Sequence, residues 1–320
     1  MKDTILFGDC RETLKNLTNS SARMCVTSPP YYGLRDYGGE KNQIGQEESP
    51  EEYVKQMVEV FRLVRDVLTD DGTLWLNIGD SYYNYRSDGN YPKQTVSKTR
   101  QDLPQSTPVR GNKLEGLKSK DLIGIPWMLA FALRADGWYL RQDIIWHKPN
   151  PMPESVKDRC TKAHEYIFLL SKSKNYFYDN EAIKEPAKDW GTRDRTNGKY
   201  HNPGSGLAPH SGLTKSYPTK NKRSVWSVTK KPYKGAHFAV FPPELIEPCI
   251  LAGSEVGDTI LDPFMGSGTS AMVAKSLGRY YTGCELHEEY GNLIQERIQD
   301  YHPVNEVAQE PTINILDLIQ

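Results

Sequence analysis

The chain has 320 residues, 37% hydrophobic and 25% charged, with a formal net charge of −1 at pH 7, a length that can bury the core of one large domain carrying insertions. It contains no run of eighteen apolar residues, and the amino-terminal MKDTILFGDC lacks the basic, apolar and small-residue succession of a signal peptide, so a soluble, cytoplasmic protein without membrane contact is expected. The five cysteines are scattered without a CxxC pair and the seven histidines are dispersed, which argues against a disulfide framework and a zinc site; no metal is expected.

In chain order, short β-rich apolar runs alternate with amphipathic helical stretches, the pattern of a mostly parallel sheet covered by helices. Residues 4–7 and 24–27 read as strands. Ser49 and Glu52 form a capping box, with Pro50 at the first helical position, and open a helix that runs through Leu68. A strand follows at 73–78. Residues 84–120 hold eight Lys and Arg against three Asp and Glu, in a Gly-, Pro-, Ser- and Tyr-rich context that reads as a long inserted loop. A helix at about 126–134 stops near Gly137, and strands at 138–146 and 165–171 form a hairpin-like edge. A second basic segment, 184–235, holds twelve Lys and Arg against three Asp and Glu and again reads as loop. From charge alone, a solvated loop and a polyanion-binding arm with interleaved Tyr and Trp fit both segments equally well. The order closes with a helix near 243–251, a strand at 259–261, a helix from Thr269, a strand at 280–284 and a helix from Glu288.

Two short motifs carry chemistry. Residues 258–269 read DTILDPFMGSGT, placing Gly266 and Gly268 in the turn between a strand and a helix, where bare backbone approaches a ligand at the carboxyl edge of the sheet. The turn lacks the third glycine of a dinucleotide fingerprint and the lysine of a phosphate loop, so a cationic, phosphate-free nucleoside suits it better. Glu285, ending the next strand, is placed to accept from both hydroxyls of a ribose; an acid that merely starts a helix is the plain alternative.

The second motif, Ser28, Pro29, Pro30 and Tyr31, directly follows a strand. Its prolines fix the backbone and remove two amide donors, which a rigid strand-to-helix turn would also explain. An exocyclic amino group of cytosine or adenine is a poor nucleophile, because its lone pair is delocalised into the ring. Acceptors from Ser28 and the Pro29 carbonyl can hold its hydrogens and aim the nitrogen at an electrophilic methyl. Tyr31 would stack on the base, which must be flipped out of a duplex to arrive there.

Together the motifs resemble those of the amino-methylating DNA methyltransferases, in which a D/N/S-P-P-Y/F/W tetrapeptide accompanies a D-P-F-x-G-S-G-T cofactor loop. With the tetrapeptide first and the cofactor loop last, the order resembles their β class. LIGIPWMLA at 122–130, RQDIIWHKPN at 141–150, HEYIFLL at 164–170 and HFAVFP at 237–242 look like further blocks of it. The resemblance implies an α/β, Rossmann-like S-adenosylmethionine-dependent methyltransferase fold, circularly permuted, with helices on both faces of a mostly parallel sheet and two inserted recognition segments. It implies a catalytic domain of residues 1–183 and 236–320, with a cofactor part at 236–300 plus 1–20 and a catalytic part at 21–183. Residues 84–120 become an inserted basic loop and 184–235 a target-recognition region.

The implied cofactor is S-adenosyl-L-methionine, with Asp262, Phe264, Gly266, Gly268 and Thr269 around the methionine moiety, Glu285 on the ribose and Asp9 near the adenine. Phe238, with Phe241 and Pro242, would complete the pocket, and Gly268→Asp is expected to abolish cofactor binding with the fold intact. The implied catalytic residues are Ser28, Pro29, Pro30 and Tyr31. In this class a leading serine goes mostly with N4 of cytosine and an aspartate with N6 of adenine, so site-specific N4-cytosine methylation is expected, with N6-adenine as the alternative. Double-stranded DNA and a cognate restriction endonuclease are the implied partners, in a prokaryote or its virus; monomer and dimer both fit.

Two rivals carry less weight. A cytosine-C5 enzyme needs a cysteine nucleophile, and Pro248-Cys249 offers the dipeptide, but Cys249 stands in an apolar helix-like stretch, where a buried structural thiol is the reading. A non-catalytic nucleic-acid-binding protein would have no use for an intact tetrapeptide and glycine turn. RNA and protein substrates stay open as alternatives, since related tetrapeptides occur in methyltransferases acting on them, but the motif order and the large insertions look more like those of a DNA enzyme.

Overall fold

The structure, a computed structural model, describes residues 2–33, 43–83, 114, 116–187, 218–230 and 241–300. It opens with strand β1 (Thr4–Phe7), a short helix α1 (Cys10–Thr13) and strand β2 (Ala22–Thr27). Helix α2 (Pro50–Val67) starts where the Ser49 hydroxyl accepts from the Glu52 N–H at 3.2 Å, a cap worth about 1 kcal/mol. Tyr53, Met57, Val60, Phe61 and Val64 form its buried stripe at helical spacing. At Leu68 the backbone becomes extended and enters β3 (Leu68–Ile78) at once, so this strand begins earlier than its apolar run at 73–78 indicates. Thr69 to Gly72 are polar or small and carry no strand period, and the register against β2 shifts just there.

Helix α3 (Ile125–Ala135) and strands β4 (Tyr139–His147) and β5 (His164–Ser171) follow. A two-stranded ribbon of β6 (Glu185–Pro186) and β7 (Thr219–Lys220) precedes β8 (Val225–Ser227). The last elements are α4 (Pro243–Gly253), β9 (Thr259–Asp262), α5 (Thr269–Ser276), β10 (Tyr280–Glu285) and α6 (Tyr290–Asp300).

The main sheet has the order β1-β10-β9-β2-β3-β5-β4-β8. Only β5 runs against its neighbours; the other pairs are parallel. Successive strand residues alternate between faces. Cys25, Leu74, Leu76, Phe168 and Leu170 pack with α2 and α3 on one face, while Met24, Val26, Trp75, Ile167 and Leu169 pack with α4, α5 and Ile294 of α6 on the other. Each such large side chain contributes about 1.5–3 kcal/mol on burial. The result is the doubly wound, Rossmann-like α/β sheet that the sequence leads one to expect. Among the described residues no helix is long and apolar enough to cross a membrane.

Two further details differ from the sequence reading. β4 and β5 pair antiparallel, but β5 lies inside the sheet and the pair is not an edge. The edge is β8, drawn from the segment 184–235 that reads as loop. Trp226 is buried there, and Trp146 Nε1 donates to the Val228 carbonyl at 2.9 Å. Three residues are too few to show a period, so only docking against β4 reveals the strand. Most of both basic segments, 84–113 and 188–217, lies outside the described residues.

Candidate active site

From β9 the chain passes through α5 to β10 on one side, and from β2 through α2 to β3 on the other, so the winding reverses between β9 and β2. At such a reversal the connecting loops diverge and open a crevice at the carboxyl ends of the strands. Both motifs border it: residues 263–268 follow β9, and Ser28 to Tyr31 follow β2. Their roots are joined, because the Thr27 hydroxyl donates to Asp262 at 2.6 Å.

On the β9 side, Asp262 is 2% exposed and also accepts from the Ser270 hydroxyl at 2.6 Å and the Phe264 N–H at 3.0 Å. Burial pushes its carboxyl up to about 6 against these hydrogen bonds. Asp262 therefore shapes the loop from beneath. Gly266 and Gly268 occupy the left-handed region, at φ 54° and 79°. A Cβ on Gly268 would stand 2.6 Å from Ile294 of α6, which corrects the expectation that Gly268→Asp leaves the fold intact: the packing of α6 on this turn needs the bare backbone as well. Thr269 is buried and its hydroxyl accepts from Arg297 of α6 at 3.1 Å; Arg297 also reaches the Ser267 carbonyl at 2.9 Å and the Ser267 hydroxyl. Arg297 carries no motif signal in the sequence, yet it clamps the loop.

Glu285 ends β10 and accepts from the Gly266 N–H at 2.7 Å and the His287 N–H at 3.0 Å; burial raises its carboxyl above the usual range. An ionised carboxylate offers about four acceptor positions, so Glu285 keeps capacity for a ligand. Nearby, His287 Nε2 is buried with no hydrogen-bond partner among the described residues. A buried acceptor with spare capacity, a partnerless ring nitrogen and a left-handed glycine turn fit the nucleoside of S-adenosyl-L-methionine. The Gly8 N–H donates to the Glu285 carbonyl at 2.8 Å, which brings Asp9 to the same edge. Asp9 caps α1 and grips the Arg11 guanidinium; burial raises its carboxyl, but the Arg11 hydrogen bonds outweigh this and hold it below its ordinary value. Phe264 and Phe241 are half-buried, against opposite core faces. Phe238 lies outside the described residues.

On the β2 side, Pro29 is buried and the Pro30 carbonyl accepts from the Tyr53 hydroxyl at 2.9 Å, pinning the tetrapeptide to α2. The Tyr31 hydroxyl donates to Glu165 at 2.8 Å, and the Ser28 hydroxyl lies 3.5 Å from it. Burial, reinforced by the Glu165 charge, raises the Tyr31 phenol well above its usual range, so it stays a donor. Gly79 makes room for the ring: a Cβ there would stand 2.7 Å from Tyr31 Cε2. Glu165 in turn pairs with Lys148. The sequence reading gave neither of these a role; the available signal is a charged residue at the end of each apolar strand run, IIWHK and HEYIFLL. An open cleft lined by Tyr31, Gly79, Asp80, Lys148, Met152 and Glu165 leads to this cluster.

The family model described as DNA methylase matches residues 22–296. The chain is 48% identical to the type II methyltransferase M.SmaI of Serratia marcescens, over 92% of its own length and 90% of that protein's. Its fold is similar to that of the PvuII DNA methyltransferase (cytosine-N4-specific), at 18% identity and a TM-score of 0.61, covering 95% of this chain and 88% of that one. It is also similar to a Thermus thermophilus protein solved in complex with S-adenosyl-L-methionine, at 24% identity and a TM-score of 0.57, covering 92% of each chain. At such identities the two structures establish the fold, that of the Rossmann-like methyltransferases. With the sequence match spanning both motifs and the sheet between them, the chain belongs to the DNA methylase family, the amino-methylating N6/N4 DNA methyltransferases.

Proposed function

We propose that the protein methylates the N4 amino group of cytosine at a specific site in double-stranded DNA, using S-adenosyl-L-methionine. The observation that carries this reading is the Ser28-Pro-Pro-Tyr31 turn standing beside the glycine loop at the winding reversal, with Thr27 and Asp262 joining the two. Bound at the ends of β9 and β10, S-adenosyl-L-methionine supplies an electrophilic methyl on a sulfonium. Glu285 would accept from its ribose, Phe264, Gly266, Gly268 and Thr269 would border its methionine moiety, Asp9 would lie near its adenine, and Phe238, with Phe241 and Pro242, would complete the pocket from the opposite side. Asp262 acts through the loop that it holds.

Ser28 and the Pro29 carbonyl accept from the amino hydrogens, while the Pro30 carbonyl is already taken by Tyr53. Held in this way, the nitrogen is pyramidalised and in line with the methyl. Tyr31 offers its ring to the base, which leaves the duplex to reach the turn. A hydroxyl at position 28 can also donate to N3 of cytosine, which an ionised carboxylate cannot do. N1 of adenine would take the same donor, and the family includes both activities, so N6-adenine methylation is the second reading. In this reading residues 1–183 and 236–320 form the catalytic domain, 184–235 recognises the target, and 84–120 is an accessory arm. Its similarity to a protein named a type II methyltransferase supports a place in restriction and modification beside a cognate endonuclease. Mass spectrometry of nucleosides from DNA of cells expressing the protein tests the assignment: N4-methylcytosine is expected, and N6-methyladenine without it refutes the cytosine reading.

A further inference from the structure

The Tyr31 hydroxyl donates to Glu165 Oε2 at 2.8 Å, and Lys148 pairs with the other carboxylate oxygen. Both charged side chains are nearly buried, Lys148 at 8% and Glu165 at 15% exposure. Asn77 steadies the same carboxylate, with its amide nitrogen 3.5 Å from Oε2 and donating to the Tyr166 carbonyl at 3.0 Å. Lys148 directly follows β4, and its Nζ lies 4.4 Å above the ring of Trp146 of that strand. A buried ion pair is a poor device for stability, since desolvation offsets most of its attraction, so its presence at the base of the Tyr31 hydroxyl calls for another role.

We infer that Glu165 is the positioning residue for Tyr31, and that Lys148 holds the Glu165 carboxylate in place, so that the placement of the base platform depends on this one pair. The inference rests on the reading in which Tyr31 meets the target base. The pair is the link between the tetrapeptide after β2 and the two strands, β4 and β5, on the far side of β3. When Lys148 loses its proton, the charge that fixes the Glu165 carboxylate is lost and only neutral donors hold it, so Tyr31 is less firmly aimed.

The surroundings make that loss accessible. Burial pushes the Lys148 ammonium down to about 8, against the pull of Glu165, with Lys230 pushing it the same way as burial. Lys230 follows β8, and the remaining charged groups lining the cleft are Lys162 and His164 before and at β5, Asp80 after β3 and Glu154 in the β4–β5 connection. Glu165 itself faces Tyr31, Asn77 and Lys148.

The test is a double-mutant cycle on the full chain, reading kcat for transfer of label from S-adenosyl-L-methionine into methyl-deficient genomic DNA. Y31F and E165Q should each cost about a hundredfold, the scale of an ångström's misplacement, and Y31F/E165Q no more than the costlier single change. KM for S-adenosyl-L-methionine should stay within about twofold, which separates positioning from a collapsed site. Costs that multiply in the double variant, or an E165Q enzyme with normal kcat, overturn the inference. Should E165Q fail to fold, the pH profile decides. Wild-type kcat should fall as pH rises through about 8, and K148R should move that fall up by at least one pH unit; an unmoved profile overturns the inference. Nucleoside mass spectrometry on the same DNA identifies the methylated base independently, so an adenine product refutes the cytosine reading without touching the coupling.

Discussion

Thr27 and Asp262, 235 residues apart in the chain, share a hydrogen bond of 2.6 Å that ties the strand before the Ser28–Tyr31 turn to the strand before the Gly266–Gly268 loop. Both residues are buried, so neither group can exchange its partner for water. Thr27→Val keeps the shape and removes the donor. Leaving a buried carboxylate oxygen short of one hydrogen bond should cost about 1–3 kcal/mol, read as a lower urea midpoint with an unchanged slope. An unchanged midpoint would show that the two strands are held together by packing alone.

Asp262 also sets a pH dependence of stability. Burial raises its carboxyl from 3.8 to about 6, against hydrogen bonds from Ser270, Thr27 and Phe264. A carboxyl raised on folding stabilises the native state fully below the unfolded value and loses that contribution as pH rises through the folded one. The wild type should therefore lose stability relative to Asp262→Asn between pH 4 and pH 7, by about 3 kcal/mol. Urea titrations of both proteins across that range check it, and parallel curves would count against the shift.

Glu285 is the test of the cofactor pocket. Glu285→Ala removes the acceptor for the Gly266 N–H together with the acceptors proposed for the ribose. Loss of two net hydrogen bonds, about 1.5 kcal/mol each, corresponds to roughly a hundredfold weaker binding of S-adenosyl-L-methionine by calorimetry. Glu285→Gln retains an acceptor and should bind with intermediate affinity.

Gly79 isolates the catalytic side. A methyl at this position would stand 2.7 Å from the Tyr31 ring, with Glu165 behind it, so the ring must move. Gly79→Ala should lower kcat at least tenfold and leave S-adenosyl-L-methionine affinity unchanged, because the glycine loop is untouched. A normal kcat would mean that Tyr31 does not need its present place.

DNA recognition is testable by exchange of residues 188–217. The graft has to spare Val225 to Ser227, since β8 belongs to the sheet and Trp226 to the core. The variant should bind S-adenosyl-L-methionine normally, lose site-specific DNA binding, and show a shallower dependence of log K on log salt. Loss of cofactor affinity as well would place this segment in the catalytic core.

Local signals in the sequence determined much of the architecture. The Ser49 cap with Pro50 marks the start of α2, period-two and period-3.6 runs locate the strands and helices, and the SPPY and GSG turns point to the chemistry. Each of these depends on residues within a turn or two of one another. Tertiary structure alone decided that β9 lies beside β2, which puts Asp262 under the Thr27 hydroxyl, and that β5 lies between β4 and β3, which brings Glu165 to Tyr31 as well as to Lys148. It also decided that Gly268 must clear Ile294 and that Trp226 closes the sheet edge. These are matters of strand order and register, set by how two apolar faces bury their helices, and the separation along the chain of the residues concerned leaves no periodic trace.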